Sequence, residues 1–300
     1  MSAFDADWLA LREPADGRAR DAALRDAAAA WCAARPGDRP VRIVDLACGT
    51  GSTLRALAPA IARAQAWTLV DHDPALLARA GRVLADLDRI GTASGPVPVA
   101  IRMHRADLDA ALDAVLDPDA DLVATSAFLD LVSDAWLARL VDGLAARGRP
   151  FYAALSVDGR IDCDPVDPID PAVFAAFDTH QRRDKGLGGA LGPRAPVVAA
   201  ARFAAAGFAV REARADWRLD AARPADAALL EPLLDGWHDA VSETGLLPAA
   251  ALEAWRTRRR DAIRAGRLRV VVGHVDLWAS PPLQAPAGRT TSQSTSSPSA

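Results

Sequence analysis

Residues 41 to 51, Val-Arg-Ile-Val-Asp-Leu-Ala-Cys-Gly-Thr-Gly, constrain this chain more than any other stretch. Val41, Ile43 and Val44 read as a short buried strand, and Asp45 sits where that strand ends. Ala47, Gly49 and Gly51 then build a turn of small residues, and Ser52 to Ala64 has helical composition. Strand, glycine turn and helix together bring bare backbone close to a ligand at a helix N-terminus. A side chain at Gly49 or Gly51 would block that approach, or demand positive φ from a residue that resists it.

Two kinds of ligand use such a turn. The dinucleotide fingerprint Gly-x-Gly-x-x-Gly places its third glycine inside the helix, where this chain has Leu54. Asp45 also stands at the mouth of the turn, where a carboxylate would repel a pyrophosphate and suit a ligand carrying an ammonium group. The string Asp-Leu-Ala-Cys-Gly-Thr-Gly resembles motif I of class I S-adenosylmethionine-dependent methyltransferases, with Ala47 in place of the motif's first glycine. The following run, Leu69-Val-Asp-His-Asp-Pro-Ala-Leu-Leu77, resembles the second motif of that family. Trp67 to Val70 reads as a second strand ending at Asp71, twenty residues after Gly51. An acidic side chain at this spacing accepts hydrogen bonds from ribose hydroxyls. Pro74 then starts a helix with Asp73 as its N-cap.

Beyond a linker rich in Gly and Pro (91–98), Val99 to Met103 reads as a third strand, and Asp121 to Thr125 as a fourth. The resemblance covers about residues 41 to 156. It implies S-adenosylmethionine as cofactor, with the methionine part at Asp45, Ala47, Gly49 and Gly51. It further implies ribose at Asp71 beside His72, adenine at Asp107 and Leu108, and the loop from Ser126 to Leu131 under the reacting methyl group. Taken singly, each acid also has an ordinary reading as a cap or a surface loop residue. Their order, each closing an apolar run, is the stronger signal.

Farther on, Asp134 to Arg147 reads as a helix capped by Ser133 or Asp134, and Phe151 to Leu155 as a fifth strand. Residues 157–194 are rich in Asp, Pro and Gly and read as an irregular insertion, of the kind that is functional or mobile in compact domains. Pro196 to Ala206 resumes as a helix closed by Gly207, Phe208 to Arg214 is a sixth strand, and residues 224–265 read as two or three helices. Leu268 to Val275 is a final strand. The expected fold is therefore α/β: a Rossmann-like, doubly wound, seven-stranded, mostly parallel sheet with an antiparallel last strand and helical insertions at about 157–194 and 220–265. Residues 1–40 form an N-terminal helical segment interrupted at Pro14. It reads as a plain docking helix, or as a lid with contacts from Leu11 to Asp16. Residues 41–278 make the catalytic domain, and 279–300 have the composition of a disordered tail.

Composition limits the partners. With 35 basic and 39 acidic residues, the net charge is −4, and no basic field exists to hold a polyanion. Nucleic acid is not an expected partner. No run reaches the ~18 apolar residues of a membrane span, and no signal peptide opens the chain. The odd count of cysteines, at 32, 48 and 163, has no metal-ligand spacing and fits a reducing compartment. The sequence reading is a cytoplasmic enzyme with no metal and a small-molecule acceptor, and no feature assigns an oligomeric state.

Methyl transfer from a sulfonium asks mostly for alignment and exclusion of water, and proximity alone supplies ~7–11 kcal/mol. A base is needed only for a protonated nucleophile. The richest acceptor-site stretch is Thr179 to Pro193 with its four glycines, on the strand-end side of the sheet where open α/β folds bind ligands. His180 is the candidate base. Asp184 and Lys185, the only lysine of the chain, are candidates to hold a charged group, and Tyr152 to position the acceptor. His104, His238 and His274 read as structural, and so do the eight tryptophans, of which Trp217 and Trp278 are alternatively pocket-lining. Three other readings use the same residues: a nicotinamide-dependent oxidoreductase, a non-catalytic binding protein of methyltransferase fold, and a protein methyltransferase.

Overall fold

A computed structural model describes residues 5–116, 119–184 and 186–282. Two helices open it, α1 (Ala6–Ala19) and α2 (Ala22–Ala33). Alternation of strand and helix follows: β1 (Val41–Leu46), α3 (Ser52–Leu57), β2 (Gln65–Asp71), α4 (Pro74–Val83), β3 (Arg89–Thr92), β4 (Gly95–Arg105), α5 (Leu112–Val115), β5 (Leu122–Ser126) and α6 (Asp134–Arg147). The second half contains β6 (Phe151–Asp164), α7 (Asp170–Gln181), α8 (Ala195–Ala205), β7 (Ala209–Arg214), β8 (Trp217–Asp220), α9 (Pro224–Thr244), α10 (Ala249–Arg264) and β9 (Arg269–Ser280).

The sheet order is β3-β4-β2-β1-β5-β6-β9-β7, with β8 also paired to β9. Strands β4, β2, β1, β5 and β6 are mutually parallel. The last strand, β9, runs antiparallel to β6 and β7. This is the doubly wound, Rossmann-like fold implied by the sequence resemblance, enlarged from seven strands to nine by β3 and β8.

Strands β1 and β5 are apolar nearly throughout because helices cover both faces of the sheet. Val44 and Leu46 face one core with α5, α6 and α8, while Val41 and Ile43 face another beneath α2 and α3. A third core lies at the β8–β9 part of the sheet. Val173 of α7, Trp237 of α9 and Trp255 of α10 pack there against Trp217 and Leu219 of β8. The helix signals read from the sequence are in place. Asp73 accepts from the Ala75 N–H at 2.8 Å, Ser133 caps α6 through the Trp136 N–H, and Gly207 follows α8 at φ +86°.

Four expectations need correcting. Pro14 lies inside α1, and the break falls at Arg20, which is extended (φ −53°, ψ 134°) before the N-cap Asp21. The Gly/Pro linker at 91–98 is largely a β3–β4 hairpin. Its prolines, 96 and 98, lie where β4 pairs only with the edge strand β3, so the missing N–H groups cost the inner ladder nothing. The supposedly irregular 157–194 insertion contains the second half of β6 and all of α7. Register shifts between Ala153 and Ser156, and between Val157 and Ile161, break the alternation that would have marked the strand. Finally, β9 continues to Ser280, past the proposed start of the tail at 279. The stretch 283–300 lies outside the described residues.

Candidate functional site

The bend after β1 is built as its composition requires. Ala47, Gly49 and Gly51 have φ of +51°, +54° and +84°. A Cβ on Gly49 would lie 3.0 Å from Leu9 Cδ1, because α1 runs across the bend. Asp71, at the end of β2, is only 4% exposed and binds the bend directly. Its Oδ2 accepts the Gly49 N–H at 2.8 Å, and its Oδ1 accepts the Asp73 N–H at 3.0 Å. The neighbouring His72 is exposed, with Nδ1 3.4 Å from Asp71 Oδ1.

Asp45 is fully buried behind this bend, and neither carboxylate oxygen has a hydrogen-bond partner. Burial pushes its carboxyl up to about 7. Thr53, Arg20 and Arg55 pull against that shift, and Asp71 adds to it. Arg20 stands between α1 and α2. Its Nη2 donates to Ser126 Oγ at 2.9 Å, while its Nη1 is buried with no partner. The site thus holds a buried carboxyl compensated only in part, by Thr53, Arg20 and Arg55, and a guanidinium that also faces the buried Tyr152 hydroxyl, both costly to bury without well-formed partners.

A cavity of about 140 Å³ opens on this bend. Ala47, Gly49, Thr53, Asp71, His72 and Ser126 line it, with Leu76 and Phe128 as apolar walls and Leu9, Arg12 and Asp16 of α1 as its cover. Backbone strain concentrates here. Among the described residues, the non-glycine residues with positive φ are Ala47, Ala127 and Leu155, one each on β6 or following β1 and β5. All three line this cavity or the next one. Strained backbone of this kind persists where surrounding structure imposes it, commonly around ligands. Leu155 is held by Asp276, whose buried Oδ1 accepts the Leu155 N–H at 2.7 Å while Oδ2 accepts the Asp21 N–H at 2.9 Å. Burial pushes the Asp276 carboxyl up to about 6.

The adjoining cavity, about 420 Å³, shares Arg12, Ala127 and Leu131 with the first. Its walls are aromatic and aliphatic: Trp8, Phe177, Trp217, Leu233 and Trp237 are among them. Asp130, His180, Gln181 and His274 supply polar groups. His180 Nε2 lies 3.0 Å from Glu243 Oε2. Arg12 is neutralised by Asp16 through Nε and Nη2, and its guanidinium lies 4.8 Å from the centre of the Trp217 ring. Asp16 also accepts the Trp217 indole N–H at 2.9 Å.

The structure brings Ala47, Gly49, Asp71, His72 and Ser126 together in the first cavity and His180 into the second. Gly51 ends the bend and Asp45 is buried behind it, and neither lines a cavity. Other expected site residues lie elsewhere. Asp107 is exposed and caps the Asp109 N–H, outside both cavities. Leu108 is buried in the core. Its carbonyl accepts the Trp136 indole N–H, and Trp136 meets Phe128 edge-on, so it supports the cavity wall indirectly. Asp184 is exposed and caps the Gly186 N–H. Tyr152 is 1% exposed, pairs in register with Trp278, and lines neither cavity; burial pushes its hydroxyl pKa up. Lys185 lies outside the described residues. Arg20 and His274 reach the site from distant segments and carry no local motif, and Trp217, expected in the core, also lines the second cavity. Among the described residues, no cluster of three or more His, Cys, Asp or Glu is placed to hold a metal. No helix among them is long and apolar enough to cross a membrane.

No protein-family model and no curated protein sequence matches the chain. Solved structures do resemble it. One is an S-adenosylmethionine-dependent methyltransferase from Thiobacillus denitrificans in complex with S-adenosyl-L-homocysteine: 17% identity, 92% of this chain and 99% of that one covered, TM-score 0.43. A cyclopropane synthase from Mycobacterium tuberculosis gives 14%, 86%, 83% and 0.44 for the same quantities. A geranyl diphosphate C-methyltransferase from Streptomyces coelicolor A3(2) gives 12%, 86%, 78% and 0.40. At such identities and TM-scores, the residues of the site itself decide how it is read.

Proposed function

We propose that this chain is a class I S-adenosylmethionine-dependent methyltransferase acting on a small-molecule acceptor. The observation that carries the reading is the chemistry of the bend. Asp71 already occupies the Gly49 N–H, a donor that a pyrophosphate would need, and Asp45 lies buried behind it without a partner. Both features disfavour a dinucleotide. Both suit an amino-acid nucleoside, whose ammonium is drawn to the bend by the charge of Asp45 behind it and whose carboxylate is drawn by that of Arg20.

On this reading Asp45, Ala47, Gly49, Gly51, Ser126 and Arg20 hold the methionine part. Asp71 retains acceptor capacity beyond its two backbone bonds and takes the ribose, flanked by His72. Leu76 and Phe128 provide apolar walls for the adenine, in place of a direct contact from Asp107. The cofactor supplies a methyl group already activated by a positive sulfur. The protein's part is to align the acceptor, exclude water and remove a proton where the nucleophile carries one. Alignment falls to the shared wall of Ala127 and Leu131, where the two cavities meet. The α1 cover with Leu9 and Arg12 excludes water. His180 is the candidate base in the second cavity, and Glu243 is its positioning residue.

The reading is tested by incubating a cell lysate with the protein and methyl-radiolabelled cofactor, then separating small molecules from macromolecules. Label is expected in a small-molecule product, more slowly with His180→Ala. Label in protein would replace the small-molecule acceptor by a protein one. No label in either fraction, with cofactor bound, would leave a binding protein. An unchanged rate in His180→Ala would remove His180 as base.

A further inference from the structure

The second cavity has a specific polar feature that the reaction itself does not require. His274, on β9, is 2% exposed, and its Nδ1 lies 3.0 Å from the Val272 carbonyl oxygen. A carbonyl can only accept, so Nδ1 carries the proton and Nε2 presents a lone pair. Nε2 has no hydrogen-bond partner among the described residues, and His274 lines the cavity. The ring is fixed in place by Trp217, 5.1 Å away between centroids. Burial and the charge of Arg12 lower the His274 pKa to about 4, so the imidazole stays a neutral acceptor under working conditions.

The rest of the cavity sets the character of the ligand. Trp8, Phe177, Trp217 and Trp237 offer broad flat surfaces. The volume, about 420 Å³, falls in the small-molecule range. Among the described residues Arg12 is the only arginine or lysine on the wall, and Asp16 already neutralises it. An anionic ligand would therefore lose its hydration without meeting an unpaired cation. A ligand that seals an acceptor such as His274 Nε2 from water without pairing it is strongly disfavoured.

From this arrangement we infer that the second cavity takes an uncharged, flat aromatic acceptor, and that His274 Nε2 selects it by accepting a hydrogen bond from its hydroxyl or N–H group. His274 is a specificity determinant in this scheme and does not take part in methyl transfer. The inference rests on the methyltransferase reading only in calling the ligand an acceptor.

The test uses three probes of one ring system, titrated calorimetrically into the full chain with saturating S-adenosylhomocysteine: 2-naphthol, 2-methoxynaphthalene and 2-naphthoate. The expected order places 2-naphthol at least 10-fold tighter than the other two, the size of one hydrogen bond that leaves no buried group unpaired. His274→Phe should erase the difference between the naphthol and its methyl ether. Gly236 offers a second variant. It lines the cavity from α9, and an added Cβ would meet nothing within 4 Å. Gly236→Trp should fill the space, abolish naphthol binding and leave stabilisation by S-adenosylhomocysteine unchanged. Equal binding of all three probes, preference for the carboxylate, or no binding would overturn the inference. Stabilisation by S-adenosylhomocysteine is measured on the same samples. Its absence alongside selective naphthol binding would remove the methyltransferase reading and keep the cavity assignment; its presence without naphthol binding would do the reverse.

Discussion

Asp45→Asn is expected to raise the stability of the ligand-free protein at pH 8 while weakening its affinity for S-adenosylhomocysteine. The folded-state pKa of Asp45, about 7, lies above the ordinary carboxylate value of 3.8. The folded protein therefore binds the extra proton between these two values, and stability from this group declines as pH rises through 7. Above pH 7 the wild type carries a buried, unpaired charge that the amide variant lacks. At about 1.4 kcal/mol per pH unit, the gain at pH 8 approaches about 4 kcal/mol as an upper bound and fades toward pH 5. The wild-type difference is needed because Asp276 and His274 also titrate abnormally, and the comparison cancels them. Affinity should fall by roughly 10- to 100-fold, the size of one charged hydrogen bond. Thermal melts of both proteins at pH 5 and pH 8 measure the first effect, and calorimetric titration the second. A variant less stable at pH 8, with affinity intact, would mean that Asp45 is an ordinary core residue with an acceptable environment. Buried functional groups that cost stability are a common feature of binding sites.

Asp71→Ala is expected to have the largest effect of any single change on cofactor binding, with a measurable structural cost. Removing the carboxylate strands the Gly49 and Asp73 N–H groups and loosens the bend. That should lower stability by about 2 kcal/mol and weaken S-adenosylhomocysteine binding at least 100-fold. Asp71→Asn separates the two effects. Its amide oxygen can still accept the Gly49 N–H, but its NH2 then faces the Asp73 N–H, so only part of the stability should return. The ribose contact, now to a neutral group, should remain weak. Full affinity in Asp71→Ala would remove the residue from the site.

The parts of this site that were legible in the sequence are those encoded over a few residues. Asp45, Ala47, Gly49 and Gly51 form one bend, and Asp71 ends the next apolar run; each signal is local, and the parallel β1–β2 pairing brings them together. The same local logic placed Asp107 at the end of the third strand, but the chain beyond β4 turns that carboxylate outward to cap Asp109. His180 was legible as a titratable residue near a glycine-rich stretch, although it is the end of α7, and not the glycines, that reaches the cavity. Arg12 was legible only as one of the lid contacts from Leu11 to Asp16 and Trp217 only as a core or pocket tryptophan, while Arg20 and His274 could not be found this way. All four meet through the packing of α1 and β8 against β9, pairings separated by about 200 residues in the case of Asp16 and Trp217. Bulges hid the second half of β6 for a related reason, since a shifted register erases the period-two pattern on which strand reading depends.

The most direct measurement is thermal unfolding of the full chain with S-adenosylhomocysteine and, separately, with a nicotinamide dinucleotide. The account predicts that S-adenosylhomocysteine at 100 times its dissociation constant stabilises the fold by about 2.7 kcal/mol and that the dinucleotide leaves the melt where it was. A shift with the dinucleotide and none with S-adenosylhomocysteine would contradict it outright.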